Sequence, residues 1–300
     1  MTKIRKAVVT AAGWGTRFLP ATKAQPKEML PLIDKPMIQY VVEEAVASGI
    51  EQIIIVTSLG KRAIEDHFDR SFELEHVLEH KGDEGLLKEV RGVSELADIC
   101  YIRQKEQLGL GHAISITEEL IGDEPFAVLL PDNIIEARVP VIAQMLEVYN
   151  RYQSSVIAVA PVARDQIKKH GIIGSRQVED RVYEVLSLVE KPEPDEAPSN
   201  LGISGRYILT AEIFPALKLT RPGRGGEIQL TDGLAQLLKQ QAVYAYRFEG
   251  KRYDAGTPID FLKTSVELAL RRPDIGDEFR KYLQSLDLSK FNPNPEGKRK

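Results

Sequence analysis

Three short segments carry residue types suited to a phosphorylated ligand. The first is Ala11-Ala12-Gly13-Trp14-Gly15-Thr16-Arg17-Phe18-Leu19-Pro20. Its small residues let backbone come close to a ligand, its glycines permit a turn, and backbone N–H groups in such a turn can cradle phosphate. Arg17 adds a cation. The second runs from Gln104 to Gly109-Leu110-Gly111 and offers an amide able to read a base edge. The third is Pro131-Asp132-Asn133, with a carboxylate suited to a metal. Each segment alone has an ordinary reading, since a Gly-rich turn is often only a connection and an acid after a strand is often a helix cap. Together they put a nucleotide site on an equal footing with those ordinary readings.

Two better-known patterns are not met. Phe18 stands where a dinucleotide-binding turn wants its third glycine, and no GK[ST] follows, so neither the Rossmann fingerprint nor the P-loop is present. His76-Val77-Leu78-Glu79-His80 matches the inverted zinc-protease pattern in letters. It lies in a strongly charged helical stretch, where two histidines one turn apart are expected on a solvated face. His112 reads as a helix-opening residue, His170 as a loop residue and His67 as part of a charged helix.

The elements that must position these segments alternate. Lys6 to Thr10 is a buried strand, and Met37 to Ser48 carries a helical apolar stripe ended by Gly49. Ile53 to Thr57 is β-branched throughout and reads as a buried parallel strand. Charged helices fill 61–96. Strands are expected at 99–104, 126–130 and 155–162, with helices at 111–121 and 140–150. This alternation predicts an α/β fold with a mostly parallel sheet flanked by helices, and such sheets bind ligands at the carboxyl ends of their strands. After about residue 163 the texture changes. GIIGSRQVEDRVYEVLSLVEKP (171–192) reads as antiparallel hairpin strands. A Pro- and acid-rich loop covers 192–200, strands follow at 204–210 and 243–248, and helices at 211–218 and 228–240. Thr257-Pro258 starts a last helical region with Thr as N-cap. A single domain over 1–290 is expected, with a nucleotide-binding half (1–162), a substrate-facing half (163–257), C-terminal helices (258–287) and a tail (288–300).

Composition narrows the function. The 300 residues are ample for a core that removes roughly 75% of the unfolded surface from water. A net charge of −4 argues against a nucleic-acid partner. One cysteine, Cys100, excludes an internal disulfide and most cysteine-based metal sites. No signal peptide and no apolar run of membrane-spanning length is apparent, so a cytoplasmic protein without membrane contact is expected.

Six motifs then point to one family. They are AAGWGTRFLPATKAQPKEMLPLIDKPMIQY (11–40), RQKEQLGLGHA (103–113), LLPDN (129–133), VEKP (189–192), GGEIQLTD (225–232) and YDAGTP (253–258). Over almost its whole length the chain resembles the bacterial UTP–glucose-1-phosphate uridylyltransferases, or UDP-glucose pyrophosphorylases, of the sugar nucleotidyltransferase family. The resemblance implies the nucleotide-diphospho-sugar transferase fold and the reaction of UTP with glucose 1-phosphate to give UDP-glucose and pyrophosphate. The attacking phosphate oxygen is already ionised near neutrality, so the reaction needs positioning and charge neutralisation rather than a general base.

The resemblance also implies roles. Ala12 and Gly13 would meet uracil and ribose through backbone. Gly15, Thr16 and Arg17 would wrap the triphosphate, and Lys27 would neutralise the α-phosphate. Gln104 would bond the uracil edge with Gly109 behind the base. Asp132 and Asp254 would hold Mg²⁺. Gly171, Glu190 and Lys191 would form the sugar pocket, with Lys191 on the sugar phosphate. Glu227 and Gln229 either line the site or brace it. Relatives form dimers or tetramers, so a homo-oligomer is implied. Two rivals stand beside this reading. One is a glucose-1-phosphate thymidylyltransferase, whose relatives carry the Asp-Asn pair found at 132–133. The other is a non-catalytic regulatory paralogue, against which the retained charges of Arg17, Lys27, Asp132, Lys191 and Asp254 argue.

Overall fold

The strands Lys6–Thr10 and Gln52–Thr57 are apolar at every interior position, 7–9 and 53–56, because both of their faces are covered there. Ala7, Val9, Ile53 and Ile55 belong to one core, while Val8, Ile54 and Val56 belong to a second on the opposite side. That split follows from the two-residue repeat of a strand. Each fully buried Ile or Val contributes about 1.5–3 kcal/mol relative to exposure.

The computed structural model describes residues 3–291. Its strands, in chain order, are β1 (Lys6–Thr10), β2 (Pro31–Leu32), β3 (Lys35–Pro36), β4 (Gln52–Thr57), β5 (Asp98–Arg103), β6 (Phe126–Leu129), β7 (Asn133–Glu136), β8 (Val156–Pro161), β9 (Gly171–Glu179), β10 (Val182–Glu190), β11 (Leu201–Leu209), β12 (Tyr244–Arg247) and β13 (Lys251–Asp254). Nine of them form one sheet in the order β5-β4-β1-β6-β11-β8-β12-β10-β9. β5, β4, β1 and β6 are parallel, as their sequence alternation predicts. β7 pairs only with β13, in a ribbon outside the main sheet.

Helices cover both faces, giving the expected α/β class. Met37–Ala47 and Val141–Tyr152 pack on the first core, and Leu110–Ser115, Ile213–Lys218 and Leu230–Leu237 on the second. Thr257 caps the helix Pro258–Ala269 by accepting from the Asp260 N–H at 3.3 Å.

Three local expectations need correction. The strand expected at 155–162 does not extend the parallel set directly, because antiparallel β11 inserts between β6 and β8. β11 also begins earlier than 204, at Leu201. The helix expected at 111–121 breaks into Leu110–Ser115 and Glu118–Ile121, since the buried Thr117 hydroxyl donates back to Ile114 O at 2.7 Å. The charged stretch 61–96 forms three helices, and Glu75 ties the second to the third through its ion pair with Arg91 and to the turn before it through Arg70.

His76 and His80 are exposed on that second helix, and no cluster of three or more potential metal ligands occurs among the described residues. Among the same residues no helix is long and apolar enough to cross a membrane. The segment expected as a tail from 288 begins with a 3₁₀ turn over Leu288–Phe291, and residues 292–300 lie outside the described residues.

Candidate active site

The carboxyl ends of β1, β5 and β6 open on a cavity of about 420 Å³. Ala12, Gly13, Gly15, Thr16, Lys27, Gln104, Gly109 and Asp132 all line it. A second cavity of about 310 Å³ adjoins it, lined by Arg17, Gly171, Glu190, Lys191 and Asp254. Asp132 and Glu227 belong to both walls. Every residue to which the family resemblance gives a role therefore reaches one of two neighbouring cavities that meet at Asp132. Arg17 stands on the second cavity rather than on the one holding Gly15 and Thr16.

The first loop is folded back on itself. Gly15 has φ +66°, and a Cβ there would lie 3.2 Å from both Lys27 Cβ and Thr22 Cγ2. Thr22 Oγ1 donates to Gly15 O at 2.8 Å, which fixes the return that brings Lys27 beneath the turn. Lys27 Nζ then meets Asp132 Oδ2 at 2.9 Å. The Asp132 carboxylate raises the Lys27 pKa against the opposing effect of burial. Burial pushes Asp132 upward, but the Lys27 ammonium and hydrogen bonds from Lys27 and Asn133 outweigh it, so this carboxyl sits below its ordinary range. The pair is thus fully ionised in the resting site.

Glu28, next to Lys27, is buried and also lines the first cavity. Its Oε2 accepts from Lys61 Nζ at 2.7 Å, while its Oε1 is buried and accepts nothing from the described residues. A buried carboxylate oxygen left so is costly unless a ligand donor meets it. Burial lowers the Lys61 pKa and Glu28 partly restores it.

Gln104 is buried at the end of β5. Its Nε2 lies 3.2 Å from Gly109 O and 2.8 Å from His112 Nδ1, so the opening of the Leu110–Ser115 helix orients the amide. Gly109 has φ +101°, and a Cβ there would sit 2.7 Å from Glu227 Cβ and 2.8 Å from Ile228 O. Only glycine permits the 227–228 segment to lie against this loop.

Asp132 follows β6, and β7 begins at once with Asn133, opposite Asp254 of β13. Ala255 N–H donates to Asp132 O at 2.8 Å. The position a Cβ on Gly256 would take lies 3.0 Å from Asp254 Oδ1, 3.6 Å from Asp132 Oδ2 and 3.7 Å from Arg17 Nη1. Two carboxylates and a guanidinium thus converge on one small volume. Two hard oxygen donors, with further ligands from substrate phosphates, form the donor set Mg²⁺ prefers, so the residues present fit that ion.

In the second cavity Glu190 Oε2 accepts from Thr231 Oγ1 at 2.7 Å, and Oε1 pairs with Lys191 Nζ at 2.8 Å. Gly171 faces them, and a Cβ there would come within 3.2 Å of Glu190 Oε2. Lys191 has φ +47° and its N–H donates to His170 O at 3.1 Å. The His170 ring faces Arg252 Nη2 at 3.2 Å, and Arg252 approaches Asp254 Oδ2 at 3.8 Å. Burial first, then Arg252, drives the His170 pKa down to about 4. His170 and Arg252 therefore link the Lys191 turn to the Asp254 strand, a connection the sequence reading, with His170 as a plain loop residue, did not contain. Glu28 lies inside the PKEML motif and could have been marked there. Thr231 lies inside GGEIQLTD and could have been marked likewise, whereas nothing in local sequence marks Arg252.

The chain matches the nucleotidyl transferase family over residues 6–270. A UTP–glucose-1-phosphate uridylyltransferase of Staphylococcus epidermidis is 53% identical over 288 residues, covering 96% of this chain and 100% of the relative. A second such enzyme, from Staphylococcus saprophyticus, is 54% identical over 289 residues, with 96% and 100% covered. A UDP-glucose pyrophosphorylase complexed with UDP-glucose superposes with TM-score 0.83 at 45% identity, over 90% of this chain and 100% of that one. The UTP-bound enzyme of Acinetobacter baumannii superposes with TM-score 0.88 at 41% identity, over 95% and 100%.

Proposed function

The chain belongs to the nucleotidyl transferase family, and from that premise we propose that it is a UTP–glucose-1-phosphate uridylyltransferase. The observation that carries the reading is the pair of cavities meeting at Asp132. One has the dimensions and small-residue floor of a nucleotide pocket, and the other carries carboxylate, ammonium and hydroxyl groups suited to a sugar phosphate. The near full-length identity to enzymes of that name supports it.

In this reading UTP occupies the first cavity. Gln104 bonds the uracil edge, with Gly109 behind it and Ala12 and Gly13 along the nucleoside. Glu28 Oε1 accepts from a ribose hydroxyl, which satisfies its unpartnered oxygen. Gly15, Thr16 and Arg17 meet the phosphates. Glucose 1-phosphate occupies the second cavity, with Glu190 on its hydroxyls, Gly171 giving the ring close approach and Lys191 on its phosphate. Its phosphate oxygen attacks the α-phosphorus of UTP, the bond from that phosphorus to the bridging oxygen breaks, and pyrophosphate leaves. No proton moves. Lys27 turns from Asp132 toward the α-phosphate as charge builds there, which frees Asp132. Asp132 and Asp254 would hold Mg²⁺, which supplies positive charge to the phosphates when bound.

A homo-oligomer, with the helices of 258–287 at its interface, accords with the apolar groove of about 610 Å³ between Leu262 and Phe279. A cytoplasmic location follows from UTP being an intracellular nucleotide. The test of the reading is pyrophosphate release from glucose 1-phosphate and UTP, with and without Mg²⁺; no release with Mg²⁺ would overturn it.

A further inference from the structure

Arg206 is the largest fully buried side chain among the described residues, and nothing in the reaction scheme above uses it. It sits on β11, the strand inserted beside β6. Its Nε and Nη2 pair with Glu44 of the Met37–Ala47 helix, the closest contact being 2.8 Å. The remaining donors go to backbone. Nη1 donates to Leu130 O at 3.2 Å and to Gly205 O at 3.0 Å, and Nη2 donates to Asn133 O at 2.7 Å. Leu130 and Asn133 flank Pro131-Asp132. The guanidinium therefore grips the turn on both sides of the Asp132 carboxylate without touching that carboxylate.

The surroundings are built to receive this grip. β11 shifts register between Ile203 and Tyr207, and Gly205 there has φ +67°. A Cβ on Gly205 would lie 3.2 Å from both Leu130 Cβ and the Asn133 side chain, so the turn is seated directly on the bulge. Glu44 is itself nearly buried and holds the guanidinium plane in place. The planar fork of arginine suits this arrangement, whereas a lysine has one nitrogen and cannot span the three carbonyls and the carboxylate together.

We infer that Arg206 is a positioning residue that sets the Asp132 carboxylate for the metal and phosphates. The buried Arg206–Glu44 pair holds the turn in the one conformation that lets Asp132 face Asp254. This inference rests on the assignment of Asp132 and Asp254 as metal carboxylates. A residue that merely supported the fold would lower the melting temperature and leave metal coupling alone.

The experiment measures UDP-glucose affinity by calorimetry with and without Mg²⁺, and compares the ratio in wild type, Arg206→Lys and the paired variant Glu44→Leu/Arg206→Met. Replacing both partners of a buried ion pair by apolar residues is often neutral for stability, so the paired variant separates folding from positioning. Expected is a Mg²⁺ enhancement in wild type that shrinks at least fivefold in both variants, with Mg²⁺-free affinity kept within twofold and the paired variant melting close to wild type. An enhancement kept at the wild-type level in either folded variant overturns the role of Arg206. A wild type that binds UDP-glucose with no Mg²⁺ enhancement removes the metal assignment itself and the inference with it.

Discussion

Asp254 lies directly across the β7–β13 ribbon from Asn133, and that pairing brings its carboxylate to the same small volume as the carboxylate of Asp132. Two acids from distant parts of the chain become neighbours because the four-residue strand β7 starts directly after the tight turn that holds Asp132. The Ala255 N–H bond to Asp132 O closes the contact. Replacing either acid should therefore damage one function. Asp254→Asn is expected to lower kcat/KM by roughly 10²-fold or more, the range typical for loss of a preorganised electrostatic group. Raised Mg²⁺ should recover part of the loss. Activity within threefold of wild type at every Mg²⁺ concentration would remove Asp254 from the metal site.

Lys191 concerns the sugar phosphate. Its Nζ is held at 2.8 Å from Glu190 in a turn with positive φ, at the edge of the second cavity. A charge-assisted hydrogen bond is worth roughly 1.5–3 kcal/mol, so Lys191→Ala should lower kcat/KM for glucose 1-phosphate at least about tenfold. The KM for UTP should stay near its wild-type value. Steady-state kinetics with each substrate varied in turn gives both numbers, and an unchanged dependence on glucose 1-phosphate would return Lys191 to an ordinary surface role.

Gly109 has no room for a methyl group, with Glu227 Cβ 2.7 Å and Ile228 O 2.8 Å from where one would go. Its φ of +101° adds backbone strain of about 1–3 kcal/mol to any substitution. Gly109→Ala should push the 227–228 segment off the loop, raise the KM for UTP and lower the melting temperature. A variant with wild-type melting and KM would show that the segment yields freely.

His170 gives a pH signature. Burial and Arg252 hold its pKa near about 4 rather than 6.5. As pH falls through 6.5 the unfolded chain takes up a proton that the folded chain refuses, so stability is lost between pH 6.5 and 4. His170→Gln should flatten the fall in melting temperature between pH 7 and pH 5. Parallel melting curves for the two proteins across that range would contradict the assignment.

Much of this site is legible in the sequence because its parts are local. The turn after β1, the amide at the end of β5 and the acid after β6 each follow a short apolar run, and the rule that ligands gather at strand ends collects them. What the sequence does not reveal depends on long-range pairing. No local signal tells that β11 runs antiparallel between β6 and β8, since an apolar strand reads alike in either direction. The Arg206–Glu44 pair and the Lys61–Glu28 pair are invisible for the same reason, as each joins elements far apart in the chain. The PKEML motif contains Glu28, but its burial and its ion pair with Lys61 come only from the fold.

Uridylyl transfer is distinguished most sharply by the choice of nucleotide. Gln104 presents the same hydrogen bonds to uracil and thymine, so it cannot choose between them. A pocket that rejects one methyl gains only about 1–3 kcal/mol, whereas a buried group built to bond a hydroxyl rejects its absence far more strongly. Glu28 Oε1, buried and without a partner among the described residues, is the group that takes this role in the proposed function. The measurement is kcat/KM for UTP, dUTP and dTTP side by side with glucose 1-phosphate and Mg²⁺. UTP is expected to be best, with dUTP falling close to dTTP. A dUTP value equal to UTP with dTTP poor would make the methyl the discriminator and leave Glu28 without its ribose role, and a dTTP value above UTP would contradict the uridylyltransferase itself.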